Sequence, residues 1–137
     1  MSDSVFFVVE LEVKPGQADE LQRVMEEMAA VTQADEPGTL NYEWFLTDDA
    51  SACYIFERYA DAEAAVVHSR TFPPELSQRA MAFRPTRLTA YGSLSEAIRE
   101  QRIEPLLAAV PGISFVAAEP AGGFTRDVGT EITRSVR

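Results

Sequence analysis

The segment Val5 to Val13 constrains this chain most. Val5, Phe7, Val9, Leu11 and Val13 are all apolar, and Phe6 and Val8 lie on the opposite face with Glu10 and Glu12. A period of two with this β-branched content predicts a β-strand. Because apolar side chains stand on both of its faces, the sheet that contains it must be hidden on both sides. The chain therefore needs a layer of helices on one face and a second cover on the other.

The residues that follow supply the first layer. Lys14, Pro15 and Gly16 break the strand, and Leu21, Val24, Met25, Met28 and Val31 form the apolar stripe of a helix from about Ala18 to Ala34. Glu36, Pro37 and Gly38 stop it, since the residue before a proline is driven out of the helical region. Thr39 to Thr47 and Ala52 to Tyr59 read as a hairpin around the turn Asp48–Ser51. Asp61 is placed to cap a short helix running through His68. A further helical stretch, Pro73 to Phe83, leads to a strand from Thr86 to Gly92. The order strand, helix, strand, strand, helix, strand predicts an α+β, ferredoxin-like antiparallel sheet with helices on one face. A symmetric homodimer that pairs two open sheet faces would hide Phe6 and Val8.

Residues 94–137 exceed what such a body (residues 1–93) requires and form a C-terminal extension. Leu94, Ile98, Ile103, Leu106, Leu107, Val110, Ile113, Phe115, Val116 and Phe124 are too many apolar groups for a solvated tail. The spacing predicts a helix from Ser95 to Val110 broken at Pro105, a strand from Ile113 to Ala118, and packing of Leu94 to Phe124 on the domain or its partner subunit. Arg99, Arg102 and Arg126 are expected to meet the acidic body in surface pairs, and Thr130 to Arg137 are polar enough to fray.

Charge and composition narrow the function classes. The net charge of −10 argues against nucleic acid or an anionic membrane as partner, because both demand a basic face. Residues 1–69 carry 15 acids and 3 bases, whereas residues 70–137 carry 7 acids and 9 bases, a contrast suited to contacts within or between subunits. One cysteine (Cys53) and one histidine (His68) preclude an intrachain disulfide and a histidine- or cysteine-rich metal cage. The acidic start, leading directly into a strand, differs from a secretory signal, so the expected location is cytoplasmic.

Several residues could carry chemistry. His68 can act as a general base at neutral pH, or can simply hold its helix through a hydrogen bond. Glu57 falls in the row Cys53, Ile55, Tyr59, where a carboxylate needs a partner; it is a second base candidate or an anchor to a neighbouring strand or subunit. Tyr42, Trp44, Tyr54 and Phe56 could enclose a flat aromatic ligand, or serve as core. Asn41, on the face opposite Tyr42 and Trp44, could hydrogen-bond a phenolate or peroxide, or the backbone. Cys53 reads as a small buried apolar residue rather than a nucleophile.

The segments Val9–Gly16 (VELEVKPG), Glu36–Trp44 (EPGTLNYEW) and Tyr54–Asp61 (YIFERYAD), together with the helix that presents His68, resemble the antibiotic biosynthesis monooxygenase (ABM) domain family of dimeric α/β-barrels. The resemblance covers roughly the first two-thirds of the chain. It implies a homodimer with a pocket between sheet and helices, and it implies no cofactor and no metal. Characterised relatives oxidise quinols or polycyclic phenols with molecular oxygen; others degrade haem, isomerise, or only bind small molecules. Three features depart from the family pattern. Tyr59 stands where tryptophan is usual, the stretch Thr71–Pro74 lacks a second histidine, and residues 94–137 have no counterpart in the minimal domain. The resulting expectation is a cofactor-independent monooxygenase acting on a hydroxylated aromatic, with His68 as base and Tyr42, Trp44, Tyr54 and Asn41 at the substrate. A non-catalytic ligand-binding dimer is the alternative, and haem degradation ranks third.

Overall fold

The computed structural model describes residues 4–126. The strands are β1 (Val5–Glu12), β2 (Thr39–Leu46), β3 (Ala52–Tyr59), β4 (Arg84–Tyr91) and β5 (Ser114–Ala118). The helices are α1 (Ala18–Asp35), α2 (Ala62–Thr71), α3 (Pro74–Ala80), α4 (Glu96–Ile98) and α5 (Glu104–Ala109), with a π-helical segment at Arg99–Ile103 joining the last two. One sheet runs in the order β2-β3-β1-β4-β5. Its helix-facing side carries Val5, Phe7, Val9 and Leu11 of the central strand, all buried, against Leu21, Val24 and Met28 of α1. The α+β ferredoxin-like plan expected from the sequence is present.

The expectation of a purely antiparallel sheet is corrected at one edge. β5 runs parallel to β4, with Leu88 beside Phe115 and Ala90 beside Ala117. A parallel partner needs a long crossover, and the helical segment between Gly92 and Ile113 provides it. Ile98 and Ile103 from this crossover are essentially inaccessible to solvent. Burying each contributes on the order of 2–3 kcal/mol. Thr130 to Arg137, expected to fray, lie outside the described residues.

Two prolines shape the far side of the sheet. β4 begins at Arg84 rather than Thr86, and Pro85 is accommodated by a register shift where Glu10 pairs with Arg87 but Leu11 with Pro85. A bulge is where a strand tolerates a residue without an N–H. The break expected at Pro105 within the helix from Ser95 to Val110 is present, and it takes the form of a π-helical segment just before that residue. The N–H of Glu104 reaches back to the Arg99 carbonyl, a five-residue step, in the turn preceding the residue that has no N–H to give. The widened turn carries Arg102.

The opposite sheet face is uncovered. Phe45, Tyr54, Tyr91 and Val116 are exposed there, beside half-buried Phe6, Val8 and Phe56.

Candidate functional site

A cavity of about 340 Å³ lies between the helix-facing side of the sheet and the helices. Tyr42, Trp44, Glu57, His68, Phe72 and Arg102 supply its aromatic and polar wall, and Met28, Ile55, Phe83 and Leu106 much of the apolar remainder. Cavities of this size suit a small organic ligand. A wider groove of about 670 Å³ runs between Phe6, Tyr91 and the stretch from Ala118 to Thr125, but Glu119 is its one carboxylate. The chemistry is concentrated in the smaller cavity.

His68 is held there by three local features. Asp61 caps α2 by accepting from the Ala64 N–H at 2.9 Å, which sets the helix start. Gly38 lets α2 approach, since a Cβ at that position would stand 2.7 Å from the Ala64 Cβ. Tyr42, Tyr59 and Phe72 then enclose the imidazole, with ring centroids 4.9, 5.5 and 5.0 Å from it. His68 is buried by this packing and needs polar partners.

Glu36 provides the first. It follows α1, and its backbone N–H bonds to the Thr32 carbonyl, so the turn through Pro37 and Gly38 aims the side chain inward. Its Oε1 lies 2.7 Å from His68 Nδ1 and accepts from the Thr39 hydroxyl at 2.8 Å. Burial alone would raise the Glu36 pKa. The hydrogen bond and charge of His68, aided by the Thr39 and Thr71 hydroxyls, outweigh it and hold the carboxyl below its ordinary range. Glu36 is thus an acceptor at neutral pH, and the Nδ1 of His68 carries the proton it accepts. In the neutral ring, Nε2 is then the basic nitrogen.

On the Nε2 side stands Glu57, whose Oε1 is 3.8 Å away, too far for a hydrogen bond. The same oxygen accepts from the Tyr59 hydroxyl and from Arg102 Nη2, the latter at 3.1 Å. The Arg102 guanidinium also packs over the Phe7 ring, 5.2 Å from its centroid. Burial would lower the Arg102 pKa, but Glu57 and Tyr59 raise it above its ordinary value. Burial, reinforced by the Glu57 charge, pushes both the Tyr42 and Tyr59 hydroxyls well above the usual phenol range. Both phenols are therefore neutral donors at physiological pH.

The structure brings His68, Glu57, Tyr42 and Trp44 together in this cavity. Tyr54 and Asn41 are not in it: both stand on the uncovered sheet face, where Tyr54 pairs with Phe45 and the Asn41 amide bonds Glu43. The parity of the strands decides this, since Tyr54 is one residue from Ile55 on the cavity side. Arg102, largely withdrawn from solvent, pairs with the buried Glu57 rather than making the surface contact expected of the C-terminal arginines, and Arg126 lies over Phe124. Glu36 and Arg102 are the residues sequence reasoning missed. Glu36 reads locally as a helix stop, and no spacing rule connects it to His68 or Arg102 to Glu57. Cys53 is buried, its thiol raised to about 11 chiefly by burial. Among the described residues no cluster of three or more His, Cys, Asp or Glu is arranged to hold a metal. Glu36 and Glu57 flank opposite ring nitrogens, so their oxygens do not converge on one point. No helix among the described residues is long and apolar enough to cross a membrane.

The pattern of the antibiotic biosynthesis monooxygenase family matches residues 4–80, more than half of the chain. The chain belongs to this family. Its fold is similar to that of MupZ from Pseudomonas fluorescens, with a TM-score of 0.70 at 18% identity, covering 92% of this chain and 97% of that one. This likeness necessarily includes residues beyond the family match. Rv0793 from Mycobacterium tuberculosis is also similar, with a TM-score of 0.54 at 22% identity over 69% of this chain and 98% of the other. At these identities the likeness is one of fold. No curated protein matches the sequence.

Proposed function

We propose that this ABM-family protein is a monooxygenase that oxidises a quinol or related hydroxylated aromatic with molecular oxygen, using His68 as general base. The observation that carries this reading is the buried Glu36–His68 pair, whose free nitrogen faces a cavity walled by Tyr42, Trp44 and Phe72. Family membership supports a general oxidoreductase role.

In this reading the aromatic rings pack against a flat substrate, and its hydroxyl lies within reach of His68 Nε2. Transfer of the hydroxyl proton to Nε2 leaves an electron-rich anion, and Glu36 stabilises the imidazolium that forms. The anion supplies the electrons that oxygen needs. As the O–O bond breaks, one oxygen atom bonds to a substrate carbon whose C–H bond is lost. The other leaves as water with the two hydrogens the substrate gives up, one of them returned through His68, so that the substrate ends at the quinone level. The Tyr42 phenol, in the cavity wall and neutral, can donate a hydrogen bond to negative charge as it develops.

Oxygen uptake with a panel of quinols and anthrones tests the proposal, with turnover lost in His68→Ala. Saturable ligand binding without oxygen uptake across the panel would leave the non-catalytic binding reading in its place.

A further inference from the structure

Glu57 poses a problem for a base at His68. A second carboxylate on the Nε2 side would, if free to bond, clamp the ring between two anions and hold it as an imidazolium with no lone pair to offer. Glu57 Oε1 is already 3.8 Å from Nε2, a separation that a small side-chain rotation would close. It is drawn elsewhere by two donors, the Tyr59 hydroxyl on its own strand and Arg102 Nη2 from the π-helical segment. Tyr59 cannot move far, since it is completely buried against Phe7. Arg102 is the charged member, and it arrives from a crossover outside the matched family region.

We propose that Arg102 is a positioning residue that holds Glu57 off His68 Nε2 and so keeps that nitrogen free to take a proton. This rests on the reading of His68 as the base, and it assigns the segment after β4 a part in the chemistry. The groups facing the imidazole from each packed element are consistent with it. The end of α1 presents Glu36; β2 presents Tyr42; β3 presents Glu57 and Tyr59; and the π segment presents Arg102. Phe72, after α2, closes the ring of contacts without charge. Of these, Arg102 is the single cation, and it neutralises the carboxylate on the basic side of the ring while leaving Glu36 to orient the other side. The π turn before Pro105 widens the helix where this side chain is borne.

The test needs no substrate. His68 is the only histidine in the sequence, so ¹⁵N-histidine labelling of untagged protein gives one imidazole whose protonation and tautomer are read directly by NMR against pH. The wild type should show the Nδ1–H tautomer above its titration midpoint. In Arg102→Met the midpoint should rise by about one pH unit or more, as expected for a freed carboxylate within bonding distance. In Glu57→Gln/Arg102→Met it should return close to that of Glu57→Gln alone. Replacing both members of a buried pair by neutral groups is often well tolerated, so the double variant provides a folded comparison. If Arg102→Met does not fold, Arg102→Lys should give a smaller rise in the same direction, because lysine keeps the charge but not the fork. An unchanged midpoint in a folded Arg102→Met or Arg102→Lys protein overturns the proposal. So does an equal rise on removing Arg102 from the Glu57→Gln background, which would show that Arg102 acts on His68 without Glu57. Failure of the oxygenase reading alone would leave these titrations as predicted and abolish only oxygen uptake.

Discussion

Glu36 Oε1 and His68 Nδ1 meet at 2.7 Å across thirty-two residues of sequence, with both side chains nearly inaccessible to solvent. A turn and a helix, each stable for local reasons, are thereby joined by a polar bond in a mainly apolar layer. Removing Glu36 leaves the buried His68 Nδ1 without its partner, and removing His68 leaves the buried carboxylate with hydroxyl donors alone.

That relation makes separable predictions for turnover. His68→Ala should reduce oxygen uptake by roughly 10²–10⁴-fold, the usual contribution of a positioned base. Glu36→Gln keeps the shape but loses the charge that stabilises the imidazolium. A charge-assisted hydrogen bond is worth about 1.5–3 kcal/mol, so a loss of about ten- to a hundredfold in kcat is expected, with KM little changed. Steady-state kinetics on the purified variants decide it.

The same pair predicts a pH dependence of stability. The Glu36 carboxyl titrates below its ordinary value of 4.5 in the folded state. Its contribution is therefore fully present above that ordinary value and is lost as pH falls through the lowered folded value. Melting temperatures of wild type and Glu36→Gln should differ at pH 6 and converge as pH falls below 4.5 and on through the lowered folded value. Glu20 and Asp49 are also depressed, but they are exposed and present in both proteins.

Gly38 should tolerate no side chain. A Cβ would stand 2.7 Å from the Ala64 Cβ at the start of α2, and neither atom can swing away. Gly38→Ala should cost about 1–3 kcal/mol, as overpacking does, and should loosen the Glu36–His68 bond. Denaturant titration reads the first effect, and the single histidine resonance reads the second.

Cys53 should be inert. Its buried thiol is raised to about 11, so almost none is thiolate at pH 8, and reagents cannot reach it. Mass spectrometry after treatment with iodoacetamide should show no adduct on the native protein and a single adduct in guanidinium chloride.

The uncovered sheet face should pair with a second copy. Phe45 and Tyr54 are cross-strand neighbours there and both are exposed, alongside Tyr91 and Val116. Light scattering at micromolar concentration should give twice the chain mass, and Phe45→Glu with Tyr54→Glu should give the chain mass itself. A wild-type monomer would contradict the homodimer.

Much of this architecture is legible in the sequence, because strands and helices announce themselves over short distances. The alternation of Val5 to Val13 and the stripe Leu21, Val24, Met28 specify both the element and the face it buries. The same parity put Glu57 in an apolar row with Tyr59, and Pro105 marked the break in the last helix. What packing alone decided are the encounters between distant residues and the direction of the added strand. Nothing local tells Glu36, at a helix stop, that His68 will arrive from α2, because that depends on how closely Gly38 lets two elements approach. Nor does any spacing foretell that a π turn would turn Arg102 from a surface cation into the largely sheltered partner of buried Glu57. Tyr54 and Asn41 show the converse, since their residue types suit a ligand but their parity sets them on the other face. Periodicity is a property of neighbouring residues, whereas a site is made by the few side chains that the packed layers bring within bonding distance, and only the closed tertiary structure sets those distances.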